Sequence, residues 1–189
     1  MIKEELRKIY KAQRKEISAQ HKMKLDDLLL LEFQKFDYAS VQTVLSYWPI
    51  QGQAEPDTHL FTRYLTHFLP EINLAYPVMN MVTMQMVAIR VDDTTAYQTN
   101  QWGITEPIGG MLIEPHKIDM ILVPLLVCDK KGHRVGYGKG FYDRYLAQCR
   151  EDTVKMGFSY FPAVEKISDT HQFDVPLTYC ITPRQIYEF

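Results

Sequence analysis

The cysteines of this sequence have no partners at a useful spacing. Cys128, Cys149 and Cys180 are odd in number and far apart, with no C-x-x-C pair and no histidine at metal-ligand distance. A disulfide framework and a cysteine-based zinc site are excluded, and reduced, buried thiols are expected. The histidines are scattered too; His133 alone falls near a motif and reads as an exposed turn residue. Long hydrophobic runs are missing: Leu28 to Leu31 is too short to span a bilayer, and the chain is charged from Lys3 onward without an apolar signal core. Cytoplasmic residence with no membrane association is expected. Nor is there an excess of positive charge; the formal net charge is −2, so no global basic field points to nucleic acid as a partner. No repeat, low-complexity tract or linker interrupts the 189 residues. That length supports a single domain over residues 1–189, expected to act as a monomer.

Glycine is sparse, at nine residues, yet three glycines alternate in Arg134-Val-Gly-Tyr-Gly-Lys-Gly-Phe-Tyr-Asp-Arg144. A backbone without Cβ atoms at Gly136, Gly138 and Gly140 can close its amides around an anion. The run follows the apolar stretch Ile118 to Cys128 and precedes a helix-like segment, Phe141 to Arg150. A helix N-terminus there adds partial positive charge. Lys139, Arg134 and Arg144 add mobile cations, and Asp143 offers the hard oxygen that a magnesium ion bridging phosphates accepts. Neither a Walker loop nor a Rossmann fingerprint has this spacing. Phosphate binding is the expected role, on an acceptor still open between a small-molecule kinase or other phosphotransferase and a non-catalytic nucleotide or sugar-phosphate sensor.

Residues 3 to 17 lack Gly and Pro and read as a helix with Leu6, Ile9, Tyr10 and Gln13 on one face. Ser18 is a candidate N-cap for a second helix to about Lys35, whose apolar stripe is Met23, Leu25, Leu28, Leu29, Leu31 and Phe36. Val41 to Tyr47 reads as a buried strand, and Asp57 and Thr58 can cap a helix from Leu60 to Leu69. Strands are expected at Ile72 to Val78, Thr83 to Arg90, Ile118 to Cys128, Val154 to Ser159 and Tyr179 to Thr182, with residues 91 to 117 as a long functional loop. Alternating strands and helices predict an α/β fold, a three-layer sandwich whose largely parallel central sheet is flanked by helices. In such sheets ligands sit beyond the carboxyl ends of strands.

Taken together, the glycine run, Lys3-x-x-x-Arg7, Glu55-x-Asp-Thr58 and Gly103-Ile-x-Glu-Pro107 resemble the 5-formyltetrahydrofolate cyclo-ligase family over nearly the whole chain. The most specific element is Gly132 to Leu146, where the family shows G-x-R-L-G-x-G-x-G-Y-Y-D. The resemblance implies ATP- and Mg2+-dependent closure of 5-formyltetrahydrofolate to 5,10-methenyltetrahydrofolate, with ADP and phosphate released through a phosphorylated formyl intermediate. It implies ATP binding by Lys3, Arg7, Arg134, Val135, Gly136, Tyr137, Gly138, Lys139, Gly140, Phe141 and Tyr142, with Lys139 and Arg134 catalytic. It implies magnesium at Asp143 and Asp174. On the folate side it implies Glu55 as the carboxylate that accepts pterin N–H donors, with Met84 near the pterin; Tyr47 just upstream, Trp102 as an aromatic able to stack, and the loop residues Tyr137, Gly138, Lys139, Gly140 and Phe141 are expected to join them. Strand packing is expected to claim one of Tyr47 and Trp48. Three positions depart from the family pattern: Phe173 replaces a His, Thr178 an Asp, and Asp169 a Pro.

Overall fold

The computed structural model describes residues 1–189. The chain opens with two helices, α1 (Lys3–Lys15) and α2 (Ala19–Phe33). Ser18 caps α2 as expected, its side chain accepting from the His21 amide. The inward faces differ from the apolar count. On α1 Leu6 and Arg14 are buried, and Ile9 and Gln13 are exposed. On α2 Asp26 is buried with Leu29 and Phe33, while Met23, Leu28 and Leu31 face solvent. Buried charges displace apolar residues on both helices, and these charges bear on the site.

β1 (Thr43–Leu45) is followed by α3 (Thr58–Phe68), which Asp57 caps through the His59 amide. β2 (Asn73–Asn80) lies parallel to β1, and β3 (Gln85–Val91) returns antiparallel after a turn at residues 81–84. Residues 91–117 are not the plain loop expected: they form β4 (Tyr97–Thr99) and β5 (Thr105–Pro107), paired as a separate hairpin, then β6 (Met111–Ile113) on the edge of β3. Strands this short carry no periodicity to read. The apolar stretch from Ile118 breaks in two. β7 (Met120–Val123) stops at Pro124, which has no amide to donate to a central ladder, and β8 (Val127–Cys128) pairs instead with β9 (Arg134–Val135). α4 (Phe141–Leu146) is shorter than expected. β10 (Val154–Phe158), β11 (Tyr179–Ile181) and an unforeseen antiparallel edge, β12 (Ile186–Glu188), complete the chain.

The main sheet has eight strands in the order β12-β11-β10-β7-β1-β2-β3-β6, parallel from β11 to β2 and antiparallel at both margins. Alternating side chains divide it between two cores. Val44, Met120, Leu122, Met156 and Phe158 pack under Leu29 and Phe33 of α2 and Phe61 and Leu65 of α3. Leu45, Ile121 and Val123 face the other way, onto Phe141, Tyr145 and Leu146 of α4. Helices on both faces of a mostly parallel sheet make the three layers expected. α1 sits apart and packs Leu6 against Leu126, Val127 and Val135. No helix is long and apolar enough to cross a membrane. Cys128 and Cys180 are buried, Cys149 is half-buried, and all three are free thiols.

Candidate active site

The carboxyl ends of β1 and β7 open into one cleft of about 330 Å³, the size of a small-ligand site. Its floor is the glycine loop, held in place by antiparallel pairing of Arg134 with Cys128 just upstream. Two conformations there demand glycine. Gly138 has φ +91° and Gly140 φ +70°, and a Cβ on Gly138 would stand 3.2 Å from the Arg7 guanidinium carbon. Gly140 caps α4, whose six residues supply less axial dipole than the longer helix expected, so side-chain cations carry most of the positive charge.

Those cations come from two directions. Lys3 and Arg7, one turn apart on α1, both line the cleft. Arg7 Nε donates to the Gly136 carbonyl at 3.0 Å, and Lys3 Nζ pairs with Asp174 Oδ2 at 2.5 Å. Arg134, its side chain 7% exposed, pairs with Asp143 Oδ1 at 2.7 Å and donates to the Val175 carbonyl. Burial lowers the pKa of Arg134, and the charge and hydrogen bond of Asp143 oppose that fall. Partial burial works to raise Asp174, but the hydrogen bonds from Lys3 and the His171 amide outweigh it and hold that carboxyl below its ordinary range. Lys139 is exposed on the cleft and forms no ion pair; its carbonyl accepts from Arg144 Nη2 at 2.7 Å. Arg144 also donates to the Met84 carbonyl at 2.8 Å, tying the loop to the β2–β3 turn.

The opposite wall carries Glu55, 3% exposed. Its Oε1 accepts from the Tyr137 hydroxyl at 2.5 Å and its Oε2 from the Ile50 amide at 2.6 Å. Burial pushes this carboxyl above its usual range, and the Tyr137 and Ile50 hydrogen bonds and the charge of Arg14 offset part of the rise. Burial likewise raises the phenols of Tyr47, Tyr137 and Tyr142, so all three are neutral hydrogen-bonding groups. The Tyr142 hydroxyl is buried with no partner, a group that a ligand could satisfy.

The cleft therefore gathers Lys3, Arg7, Arg134, Gly136, Tyr137, Gly138, Lys139, Gly140, Phe141, Tyr142, Asp143, Asp174, Tyr47 and Glu55 from distant parts of the sequence. Three candidates stand elsewhere. The Val135 side chain is buried with Leu6, Leu126 and Ile167, leaving only its backbone near the loop. Met84 sits at the far end of the β2–β3 turn with φ 58°, packed on the α4-side core, because β2 runs two residues beyond its expected end. Trp102 lies near the tip of the β4–β5 hairpin, 53% exposed and outside the lining. His133 is half-buried, with Nδ1 3.6 Å from Asp129.

Of the pair Tyr47 and Trp48, both at the cleft, packing claims Tyr47 in the core while Trp48 lines the wall, and residues unforeseen in sequence complete it: Ile50, Pro77, Met79, Met81, Ile104, Thr105 and Pro124. Trp48 packs its ring 4.8 Å from Tyr97 and 4.5 Å from His59. Behind the cleft Arg14, 1% exposed, donates to the Tyr137 hydroxyl at 3.3 Å and to the Leu125 carbonyl. Asp26, 3% exposed, accepts from the Tyr160 hydroxyl at 2.6 Å and from the Asp57 amide at 3.1 Å, which fixes the segment bearing Glu55. One clue to Arg14 was in the sequence, since Lys3, Arg7, Lys11 and Arg14 recur at helical spacing.

Chemically the cleft offers clustered cations and glycine amides for an anion at one end, and a buried carboxylate among aromatic and apolar side chains at the other. Asp143 Oδ1 is committed to Arg134 and the Val175 amide, and Asp174 Oδ2 to Lys3 and the His171 amide. The second oxygen of each has no protein partner. Two hard oxygens from adjacent segments suit a magnesium ion that keeps its waters and meets phosphates.

The family model of the 5-formyltetrahydrofolate cyclo-ligase family matches residues 1–183. A 5-formyltetrahydrofolate cyclo-ligase of Mycoplasma pneumoniae is 30% identical over 162 residues, 85% of this chain and 86% of that protein. The cyclo-ligase of Mycoplasma genitalium is 39% identical over 69 residues, so this chain spans only 42% of that relative. Among solved structures, the 5,10-methenyltetrahydrofolate synthetase of Aquifex aeolicus superposes with a TM-score of 0.82 at 26% identity, covering 100% of this chain and 93% of the other. The synthetase of Mycoplasma pneumoniae superposes with a TM-score of 0.76 at 26% identity, covering 96% and 98%.

Proposed function

From the premise that this chain belongs to the 5-formyltetrahydrofolate cyclo-ligase family of enzymes, we propose that it closes 5-formyltetrahydrofolate to 5,10-methenyltetrahydrofolate at the expense of ATP. It does so as a single cytoplasmic domain, residues 1–189, working as a monomer. The observation that carries this reading is the facing of two unlike sites across one small cleft, a glycine loop ringed by cations opposite a buried carboxylate in an aromatic and apolar wall.

ATP phosphates lie along the loop amides from Gly136 to Gly140, met by Lys3, Arg7 and Arg134. The pterin lies against Trp48, Met79 and Ile104, with its amino and ring N–H donors on Glu55. The formyl oxygen attacks the γ-phosphorus and ADP leaves. N10 then attacks the activated formyl carbon, the carbon–oxygen bond breaks with phosphate as leaving group, and N10 gives up its proton. A formyl oxygen alone leaves poorly, which is why it is phosphorylated first. Lys139, with no protein anion to hold it, meets the charge that develops on the transferring phosphoryl group. A magnesium ion at Asp143 and Asp174 would supply charge neutralisation between phosphates.

Purified protein mixed with ATP, magnesium and 5-formyltetrahydrofolate is expected to generate the absorbance of the methenyl product with stoichiometric ADP. ADP formed without that absorbance would point to a phosphotransferase acting on another acceptor, and no turnover would point to a nucleotide sensor. Either result sinks the reading.

A further inference from the structure

Tyr137 stands between Gly136 and Gly138, yet its phenol leaves the loop to reach the far wall. The hydroxyl donates to Glu55 Oε1 at 2.5 Å and accepts from Arg14 Nη1 at 3.3 Å, and Lys11 Nζ lies 5.3 Å from the ring centroid. The two ends of this contact belong to opposite halves of the cleft. Glu55 is anchored in the segment after β1 through the Ile50 amide, and Tyr137 is carried by the loop whose Gly136 carbonyl is bonded by Arg7 at 3.0 Å. Flanking glycines give the loop no side-chain packing of its own, and Gly138 holds φ +91°. The peptide units from 136 to 138 are therefore positioned at two points, by Arg7 on the Gly136 carbonyl and, on the Tyr137 phenol, by Glu55 with Arg14 behind it.

A ligand at Glu55 acts directly on the second of these points. Each carboxylate oxygen has two acceptor sites, so Oε1 can take a ligand N–H and the phenol together. With the Ile50 amide on Oε2 and a ligand donor added, the carboxylate is fixed in orientation, so the phenol on Oε1 meets an acceptor that no longer moves. The loop is then held more firmly in the shape that receives phosphates. We propose that Tyr137 couples the two substrates, so that a folate on Glu55 tightens the nucleotide on the glycine loop and the nucleotide tightens the folate. This inference rests on the functional reading above, and it makes Tyr137 a positioning residue whose effect is a difference between liganded states.

Calorimetric titration of the full chain measures it. A non-hydrolysable ATP analogue with magnesium is titrated alone and with saturating 5-formyltetrahydrofolate, and then the order is reversed. Wild type is expected to bind the second ligand about fivefold or more tighter than the same ligand alone, by the same factor in either order. Tyr137→Phe keeps the ring and removes the hydroxyl; it is expected to bring that factor close to one while each separate affinity changes by less than the lost factor. Coupling of full size in Tyr137→Phe, or no coupling in a wild type that binds both ligands, overturns the inference and leaves the functional reading standing. Collapse of the separate affinities in Tyr137→Phe overturns it too, because Tyr137 is then a plain binding residue. A wild type that binds neither ligand overturns the functional reading and this inference with it.

Discussion

Gly138→Ala tests whether the loop needs glycine for its backbone or for ligand clearance. At φ +91° an L-residue carries about 1–2 kcal/mol of strain. The new Cβ would also stand 3.2 Å from Arg7 Cζ and Nη2, and pushing the guanidinium aside endangers its bond to the Gly136 carbonyl, worth about 0.5–1.5 kcal/mol. The sum is roughly 1.5–3.5 kcal/mol. How it divides depends on the free protein. If the empty loop keeps its shape, the cost lowers folding stability; if it relaxes, the cost is met when nucleotide restores the shape. The bound state is strained in both cases, so the losses in unfolding free energy and in binding free energy together make up the whole. Urea unfolding and calorimetric titration with a non-hydrolysable ATP analogue give the two terms. Gly136→Ala is the control, because Gly136 has no positive φ and its Cβ would lie 3.8 Å from the Pro124 carbonyl oxygen. Its combined loss is expected below about 1 kcal/mol, since Ala also restricts the unfolded chain. A combined loss for Gly136→Ala as large as for Gly138→Ala would refute the reasoning and make ligand clearance the deciding factor.

Lys139→Ala is expected to lower kcat by about a hundredfold or more while folate affinity changes little, as befits a charge felt at the transferring phosphoryl group; equal losses in both would remove it from that role. Asp143→Asn keeps an acceptor for Arg134, so the fold should survive while half-maximal activity requires about tenfold more magnesium. An unchanged magnesium titration means that Asp143 is not a ligand. Burial raises the Glu55 pKa above its ordinary 4.5, so folate affinity should fall as pH drops through a midpoint above that value, and Glu55→Gln should bind weakly with no such acid limb. The same shift has the opposite sign for stability: wild type loses stability as pH rises from about 4.5 through the raised folded pKa, and in urea unfolding across that range Glu55→Gln should not.

Local signals were legible wherever their partners are local. Ser18 and Asp57 cap helices because each side chain reaches an amide two or three residues ahead, and both caps stand at the expected positions. The alternating glycines state their own geometry, and the β-branched and apolar runs locate the parallel core. What sequence reading missed depends on distant pairing. Arg14 looks like helix decoration until Tyr137 and the Leu125 carbonyl, 123 and 111 residues away, close on it. Asp26 interrupts the apolar stripe that Met23 and Leu31 suggest, and its partner Tyr160 lies 134 residues away. Trp48 and Met79 line the cleft, and Trp102 and Met84 do not, because the lengths of β1, β2 and the β4–β5 hairpin decide which side chains reach it. Those lengths are set by cross-strand pairing, which no single segment displays.

The buried charges explain a division of labour among the cations. Arg14, Arg7 and Arg134 are each committed to protein acceptors, Arg14 to Leu125 and Tyr137, Arg7 to Gly136, Arg134 to Asp143 and Val175. A cation already satisfied by carbonyls and carboxylates gains less from a passing phosphate, but it holds its position without reorganising, which is what fixing a ground-state ligand requires. Lys139 is the opposite case. It stands exposed on a loop of glycines with no anion to neutralise it, so in the proposed reaction its charge would be free to meet new negative charge, with a flexible stem to follow the moving group. Exchanging the two kinds would spoil both tasks. An arginine bound to a carbonyl in place of Lys139 would be spent before the reaction began, and a free lysine in place of Arg134 would give up the forked contact that joins Asp143 to the Val175 carbonyl. The glycine loop is thus framed by fixed charges and carries one mobile charge, and the mobile one is where loss of turnover should exceed loss of binding.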